Sequence, residues 1–177
     1  ALTAHRIIMD QAYDAKILSP ASPVTPHVSP LKNIFWPGRL QKLENHPLNH
    51  LVSDDTEIWI DGGHNDSAGY FLAQQAKLWQ EEDSKPLDIV LAMVDRKKPE
   101  DFIGPLIPYA HSITVTEIKG EDSSYKNQDL YDVLKQLNIE NLSMADTVEQ
   151  ACRDLSQKSG HRILITGSLY LLGTILS

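Results

Sequence analysis

Two hydrophobic periods run through the chain. Apolar runs at residues 58–60, 87–94 and 163–166 read as buried strands, with Asp88 the one charge near the start of the second, and residues 113–118, where apolar positions alternate with threonines, read as another. Residues 40–43 and 142–145 are shorter candidates. Between the runs, apolar residues recur at helical spacing. Ala68, Phe71, Leu72, Ala76 and Trp79 mark a helix over about 67–82. Leu130, Val133, Leu134 and Leu137 mark a second, and Val148, Ala151, Cys152 and Leu155 a third. Asp146, with Glu149 three residues on, is expected to cap that third helix, and Gly160 to end it. Pro99, followed by Glu100 and Asp101, opens a short helix that Pro105 and Pro108 interrupt. A last apolar helix is expected over Leu169–Leu176, and the polar stretch 44–55 reads as loop.

Strands alternating with helices of this length give βαβ units. The fold class is therefore α/β: a Rossmann-like, doubly wound, mostly parallel sheet with helices on both faces. Right-handed crossovers then gather the strand C-terminal ends on one edge, where such sheets bind ligands. That edge collects residues 61–65, 95–98, 117–120 and 167–168. Ahead of it, residues 2–12 can form a helix, and Pro20, Pro23, Pro26 and Pro30 make a stiff linker, with Thr25-Pro26 able to cap a turn. The expected organisation is thus 1–32 as the end of a preceding domain plus linker, and 33–177 as the main domain. The opening Ala1-Leu2-Thr3-Ala4 reads like a cut inside a helix, so the chain is expected to be a fragment.

Composition narrows the partners. The 177 residues carry a net charge of −8, which argues against a nucleic acid or an anionic membrane surface as partner. No apolar run approaches the ~18 residues that span a bilayer. A single cysteine leaves no intrachain disulfide and fits a reducing, cytoplasmic compartment. Cys152 falls on a core stripe and is expected to be an inert buried thiol.

The most chemical stretch is Ile60-Asp61-Gly62-Gly63-His64-Asn65. A strand end, a glycine turn and a helix N-terminus together form a candidate anion site, with an acid and an imidazole on the turn. No Gly-x-x-x-x-Gly-Lys-[Ser/Thr] phosphate loop, Gly-x-Gly-x-x-Gly turn, Gly-x-Ser-x-Gly elbow or zinc-spaced Cys/His set accompanies it. His46 and His50 have i,i+4 spacing, but Pro47 and the flanking asparagines favour a solvated loop over a metal site. Taken singly, Arg39 reads as a surface ion pair, Asp61 as a helix cap and His64 as a turn residue bonded to backbone.

Three segments change that weighting. Trp36-Pro37-Gly38-Arg39-Leu40-Gln41, Ile60-Asp61-Gly62-Gly63-His64-Asn65 and Ile165-Thr166-Gly167-Ser168-Leu169-Tyr170 resemble, in order, signatures of the folylpolyglutamate synthase / dihydrofolate synthase family of the Mur ligase superfamily. The resemblance covers residues 26–177 and implies a Mur-ligase C-terminal domain fold. It further implies an ATP-dependent amide ligase that joins L-glutamate to dihydropteroate or a folate through an acyl phosphate. An N-terminal ATPase domain of the same polypeptide would hold the phosphate loop and the Mg²⁺ ligands, and this chain alone would be inactive. By the same resemblance Arg39 would contact ATP phosphates and Asp61 the nucleotide, at its ribose hydroxyls. His64 would lie near the phosphates or the glutamate as the catalytic candidate, and Ser168 near the glutamate. Gly63 stands where alanine is common in the family and Asp66 where proline is common. The segment Asp95-Arg96-Lys97-Lys98 replaces a more usual Asp-Lys-Asp. Another Mur-type amino-acid ligase and a non-catalytic nucleotide-binding module stand as alternatives.

Overall fold

Among the described residues six strands form one sheet, in the order β1-β2-β6-β3-β4-β5. The computed structural model describes residues 38–157 and 159–177, all within the compact unit Pro37–Ser177. The expected helix at 2–12, the proline-spaced linker with its Thr25-Pro26 turn, and Trp36-Pro37 lie outside the described residues. In chain order the elements are β1 (Gln41–Lys42), a 3-10 turn (Pro47–Leu51), β2 (Glu57–Asp61), α1 (Asp66–Glu82), β3 (Leu87–Leu91) and α2 (Pro99–Ile103). A second 3-10 turn (Gly104–Tyr109) follows, then β4 (Ala110–Val115), α3 (Asn127–Lys135), β5 (Leu142–Met144), α4 (Val148–Leu155), β6 (Arg162–Thr166) and α5 (Leu169–Leu176). Among these strands β1 runs antiparallel to its neighbour and the other pairings are parallel.

Side-chain alternation along the strands splits the core in two. Ile58, Ile60, Val90, Ile163 and Ile165 pack with α4, α5 and the first 3-10 turn. Ile89, Leu91, Ile113, Val115 and Leu164 pack with α1, α2 and α3. A side chain of this kind contributes roughly 1.5–3 kcal/mol when fully buried, so the two clusters hold the layers. The topology explains the division. From β3 to β5 the chain advances away from β6, and then it returns. A crossover of one hand therefore puts α3 and α4 on opposite faces.

Several local expectations shift. Strand 87–94 ends at Leu91, and strand 113–118 becomes Ala110–Val115. α4 is capped by Thr147, whose hydroxyl accepts from Gln150 N, so Asp146 lies one residue outside the cap. The helix ends at Leu155, ahead of Gly160. The stretch 44–55 holds a 3-10 turn begun by Pro47. His46 caps it through Nδ1 and contacts the Ile175 carbonyl through Nε2, which anchors the ring. Among the described residues no group of three or more His, Cys, Asp or Glu could hold a metal ion, and no helix is long and apolar enough to cross a membrane. Cys152 is buried, and burial pushes its thiol up to about 12, which matches an inert core cysteine.

The N-terminal strand edge carries the charged part of the core. Asp88 is fully buried and accepts from Ser112 Oγ and from His161 Nδ1, the latter at 2.6 Å. Arg162, 3% exposed, donates to Glu57 Oε2 through Nε (2.9 Å) and Nη2 (2.7 Å). It also forks onto Asp83 and lies 4.7 Å from the Trp79 ring centroid. Burial pushes the Glu57 carboxyl up, but hydrogen bonds from Arg162, Lys42 and Trp59 outweigh it and hold the pKa at about 2. The unfolded chain therefore binds this proton more readily. The stability from Glu57 is present above its ordinary pKa of 4.5 and is lost as pH falls from there toward 2. Acid titration of unfolding free energy should show that loss in wild type and a weaker one in Glu57→Gln.

Candidate functional site

At the opposite edge, Asp61 ends β2 and is only 4% exposed. Its Oδ2 accepts from Leu40 N at 2.8 Å and its Oδ1 from Gly63 N at 2.7 Å. One carboxylate thus ties the residue after Arg39 to the glycine turn. Gly62 N also donates to the Gly38 carbonyl at 2.9 Å. α5 closes the arrangement from above. A Cβ on Gly62 would stand 2.3 Å from Leu169 Cδ2, and one on Gly38 2.6 Å from Leu172 Cδ1. The three sequence segments around residues 38–41, 60–65 and 165–170 therefore meet at one corner.

Electrostatics fit that convergence. Burial raises the Asp61 pKa, while the two N–H donors, Arg39 and His64 pull it back. The Leu40 N–H on Asp61 and the His64 ring on the Gly62 carbonyl keep residues 39, 61 and 64 along the same stretch of this edge. Arg39 is exposed, and no ion pair holds its guanidinium among the described residues. His64 is half-buried, with Nδ1 3.0 Å from the Gly62 carbonyl. In the neutral ring Nδ1–H donates there, and Nε2 carries the lone pair. Ser168, at the end of the adjacent β6, is buried and caps α5 by accepting from Tyr170 N at 3.1 Å. Its oxygen is engaged, and its hydroxyl proton can still donate.

The anion cradle expected from the glycine turn is mostly filled by the protein itself. Gly62 N and Gly63 N have the partners given above, Asn65 Oδ1 accepts from Ala68 N, and Asp66 Oδ1 accepts from Ser67 N. Asp66 also places an acid in the first turn of α1. Asn65, not Asp61, caps α1, so the bland reading of Asp61 as a helix cap fails. Two residues of the quoted segments had no role foreseen from sequence: Leu40, whose backbone sits at φ 42° and points its N–H at Asp61, and Thr166, the register partner of Asp61 on β6.

The rim is open. A pocket of about 290 Å³ along the same edge is lined by residues including Glu117, Lys119 and Asp146, and another of about 280 Å³ by Lys97, Lys98 and Tyr125. Neither is lined by Arg39, Asp61, His64 or Ser168. Arg96, Lys97 and Lys98 follow β3, one strand beyond β6 from Asp61.

The architecture and this corner define a doubly wound α/β domain with a polar rim at its strand C-termini. The family model for the dihydrofolate synthetase C-terminal domain matches residues 42–177, and the chain belongs to that family. It is 28% identical over 149 residues to a dihydrofolate synthase/folylpolyglutamate synthase of Bacillus subtilis, covering 83% of this chain and 31% of that protein. Among solved structures it resembles a Mycobacterium tuberculosis folylpolyglutamate synthase complexed with ADP and AMPPCP (22% identity, TM-score 0.63, 80% of this chain and 31% of that one). It also resembles Escherichia coli FolC complexed with DHPP and ADP (18%, TM-score 0.64, 81% and 31%). At these identities the structures show the shared fold. The chain spans about a third of the length of these relatives.

Proposed function

We propose that this chain is the C-terminal domain of an ATP-dependent ligase that joins L-glutamate to dihydropteroate or a folate. The γ-phosphoryl of ATP passes to the substrate carboxylate, and the glutamate amine then displaces phosphate from the acyl phosphate. Phosphoryl transfer of this kind depends on positioning and charge neutralisation, which a closing domain can supply. An ATPase domain on the same polypeptide, ahead of residue 33, would complete the cleft and hold Mg²⁺, whose role is to neutralise the triphosphate. On this reading the guanidinium of Arg39 meets phosphate oxygens, a geometry that suits it. Asp61 accepts from ribose hydroxyls, since each carboxylate oxygen keeps a lone pair beyond its N–H bond. His64 Nε2 faces the phosphates or the incoming amine, and Ser168 donates toward the glutamate.

The observation that carries this reading is the meeting of the three segments at one corner, with a cation that has no ion pair among the described residues beside a buried, doubly fixed carboxylate. In the polypeptide that carries both domains, Arg39→Ala should lower kcat/KM for ATP by roughly 10–100-fold, the loss of a charged hydrogen bond. Its melting temperature should stay within about 2 °C of wild type, as for an exposed side chain. A large fall in melting temperature with unchanged kinetics would instead make Arg39 structural. Glutamate-dependent ADP release by residues 1–177 alone would overturn the division of labour. ATP turnover answering to another amino acid in place of glutamate would move the assignment to a different Mur-type ligase.

A further inference from the structure

Three buried side-chain atoms lack a hydrogen-bond partner among the described residues: Thr116 Oγ1, Asn127 Oδ1 and Thr166 Oγ1. Thr116 and Asn127 belong to the β4 side of the sheet. Thr166 is different, because it is the register partner of Asp61 across the parallel β2–β6 ladder. Register partners in neighbouring parallel strands project to the same face. The alternation agrees: Ile163 and Ile165 enter one core cluster, Leu164 the other, and Thr166 follows Leu164 by two. On β2, Ile58 and Ile60 enter the first cluster while Trp59 packs on the second, which puts Asp61 on the face of Thr166.

A hydroxyl buried without a partner costs about 1–3 kcal/mol. Valine has nearly the same shape and would avoid that cost at a position that is 0% exposed. Thr166 is therefore a poor choice for folding alone. The neighbouring carboxylate accepts one N–H on each oxygen and keeps open lone pairs, so an acceptor for the hydroxyl proton lies on the next strand.

We infer that Thr166 is a positioning residue for Asp61, whose hydroxyl donates to that carboxylate in the nucleotide-bound state. This rests on the reading of Asp61 as a nucleotide contact. The gain is made only in the loaded state. The donated hydrogen bond fixes the carboxylate's orientation and helps keep it ionised in a buried setting, which a ribose hydroxyl needs in its acceptor.

The test uses the two-domain polypeptide with ADP as the probe. It compares wild type, Thr166→Val, Thr166→Ser and Asp61→Asn by calorimetric titration and thermal unfolding without ligand. Thr166→Val should weaken ADP binding about 5–10-fold while the unliganded melting temperature stays level or rises. Thr166→Ser, which keeps the hydroxyl, should restore affinity to within about twofold. Wild-type affinity in Thr166→Val, with Asp61→Asn weakened, would overturn the role of Thr166 and leave the nucleotide reading standing. Unchanged binding in Asp61→Asn would overturn the nucleotide reading itself. A fall in melting temperature of Thr166→Val with no change in affinity would make the hydroxyl a structural group, against the inference.

Discussion

Gly167→Ala is expected to destabilise the domain by about 4 kcal/mol, the sum of backbone strain and overpacking. Gly167 sits at φ +111°, a conformation that L side chains rarely adopt. A Cβ there would stand 2.4 Å from the Ala92 carbonyl, 2.8 Å from Leu91 Cδ1 and 2.9 Å from Met93 Cγ. The leucine and methionine ends can give way. The carbonyl cannot, because Ala92 N is bonded to the Thr166 carbonyl and fixes the end of β3 against β6. The melting temperature should fall by roughly 10 °C or more in a domain of this size. A fall equivalent to less than about 1 kcal/mol would show that the turn relaxes freely, and that its tightness is not what seats Ser168 beside Asp61.

Arg162→Met should cost about 3 kcal/mol, the low end for breaking a buried ion pair, since Glu57 and Asp83 keep some contact with solvent. Methionine preserves apolar volume over Trp79, so the loss isolates the charge. Two carboxylates then remain around one vacated position, and each is left with weaker compensation. The triple variant Arg162→Met, Glu57→Gln, Asp83→Asn should recover much of the loss, because the two carboxylates around the vacated position are gone and the charges left over, Lys42 and Lys85, keep contact with solvent. Equal stability for the single and triple variants, measured by denaturant unfolding, would mean that packing on Trp79 and not the charge set decides the edge. Neither substitution touches the rim that carries Arg39 and Asp61.

Legibility from sequence followed the range of each interaction. The helix Leu169–Leu176 was readable to the residue, because Ser168 is both cap former and boundary of the apolar run. The cap of α4 was displaced by one, since Asp146 and Thr147 are both good cap formers and only the fold decides which adopts the extended backbone. Strand lengths were overestimated where apolar residues continue past the last ladder partner, as Ala92, Met93 and Val94 do after Leu91. Arg162 was excluded from β6 by its charge. Its partners Glu57 and Asp83 lie 105 and 79 residues away, beyond any local pattern. At the rim, the rule that strand C-termini share an edge correctly grouped Asp61 with residues 167–168. It gave no hint that Leu40 would turn its N–H into the Asp61 carboxylate, or that the glycine turn would satisfy its own donors. Those depend on a left-handed backbone and on contacts about twenty residues apart.

β6 is the last of the six strands to leave the ribosome, yet it lies between β2 and β3. Those earlier strands can each gain their inner neighbour only when β6 inserts between them, so the nascent chain must hold two unzipped half-sheets until then. Long-range closure of this kind slows folding and exposes apolar strand edges meanwhile. Nascent chains stopped before residue 162 should accordingly be the form that chaperones retain, with Asp61 still lacking the strand that carries Thr166.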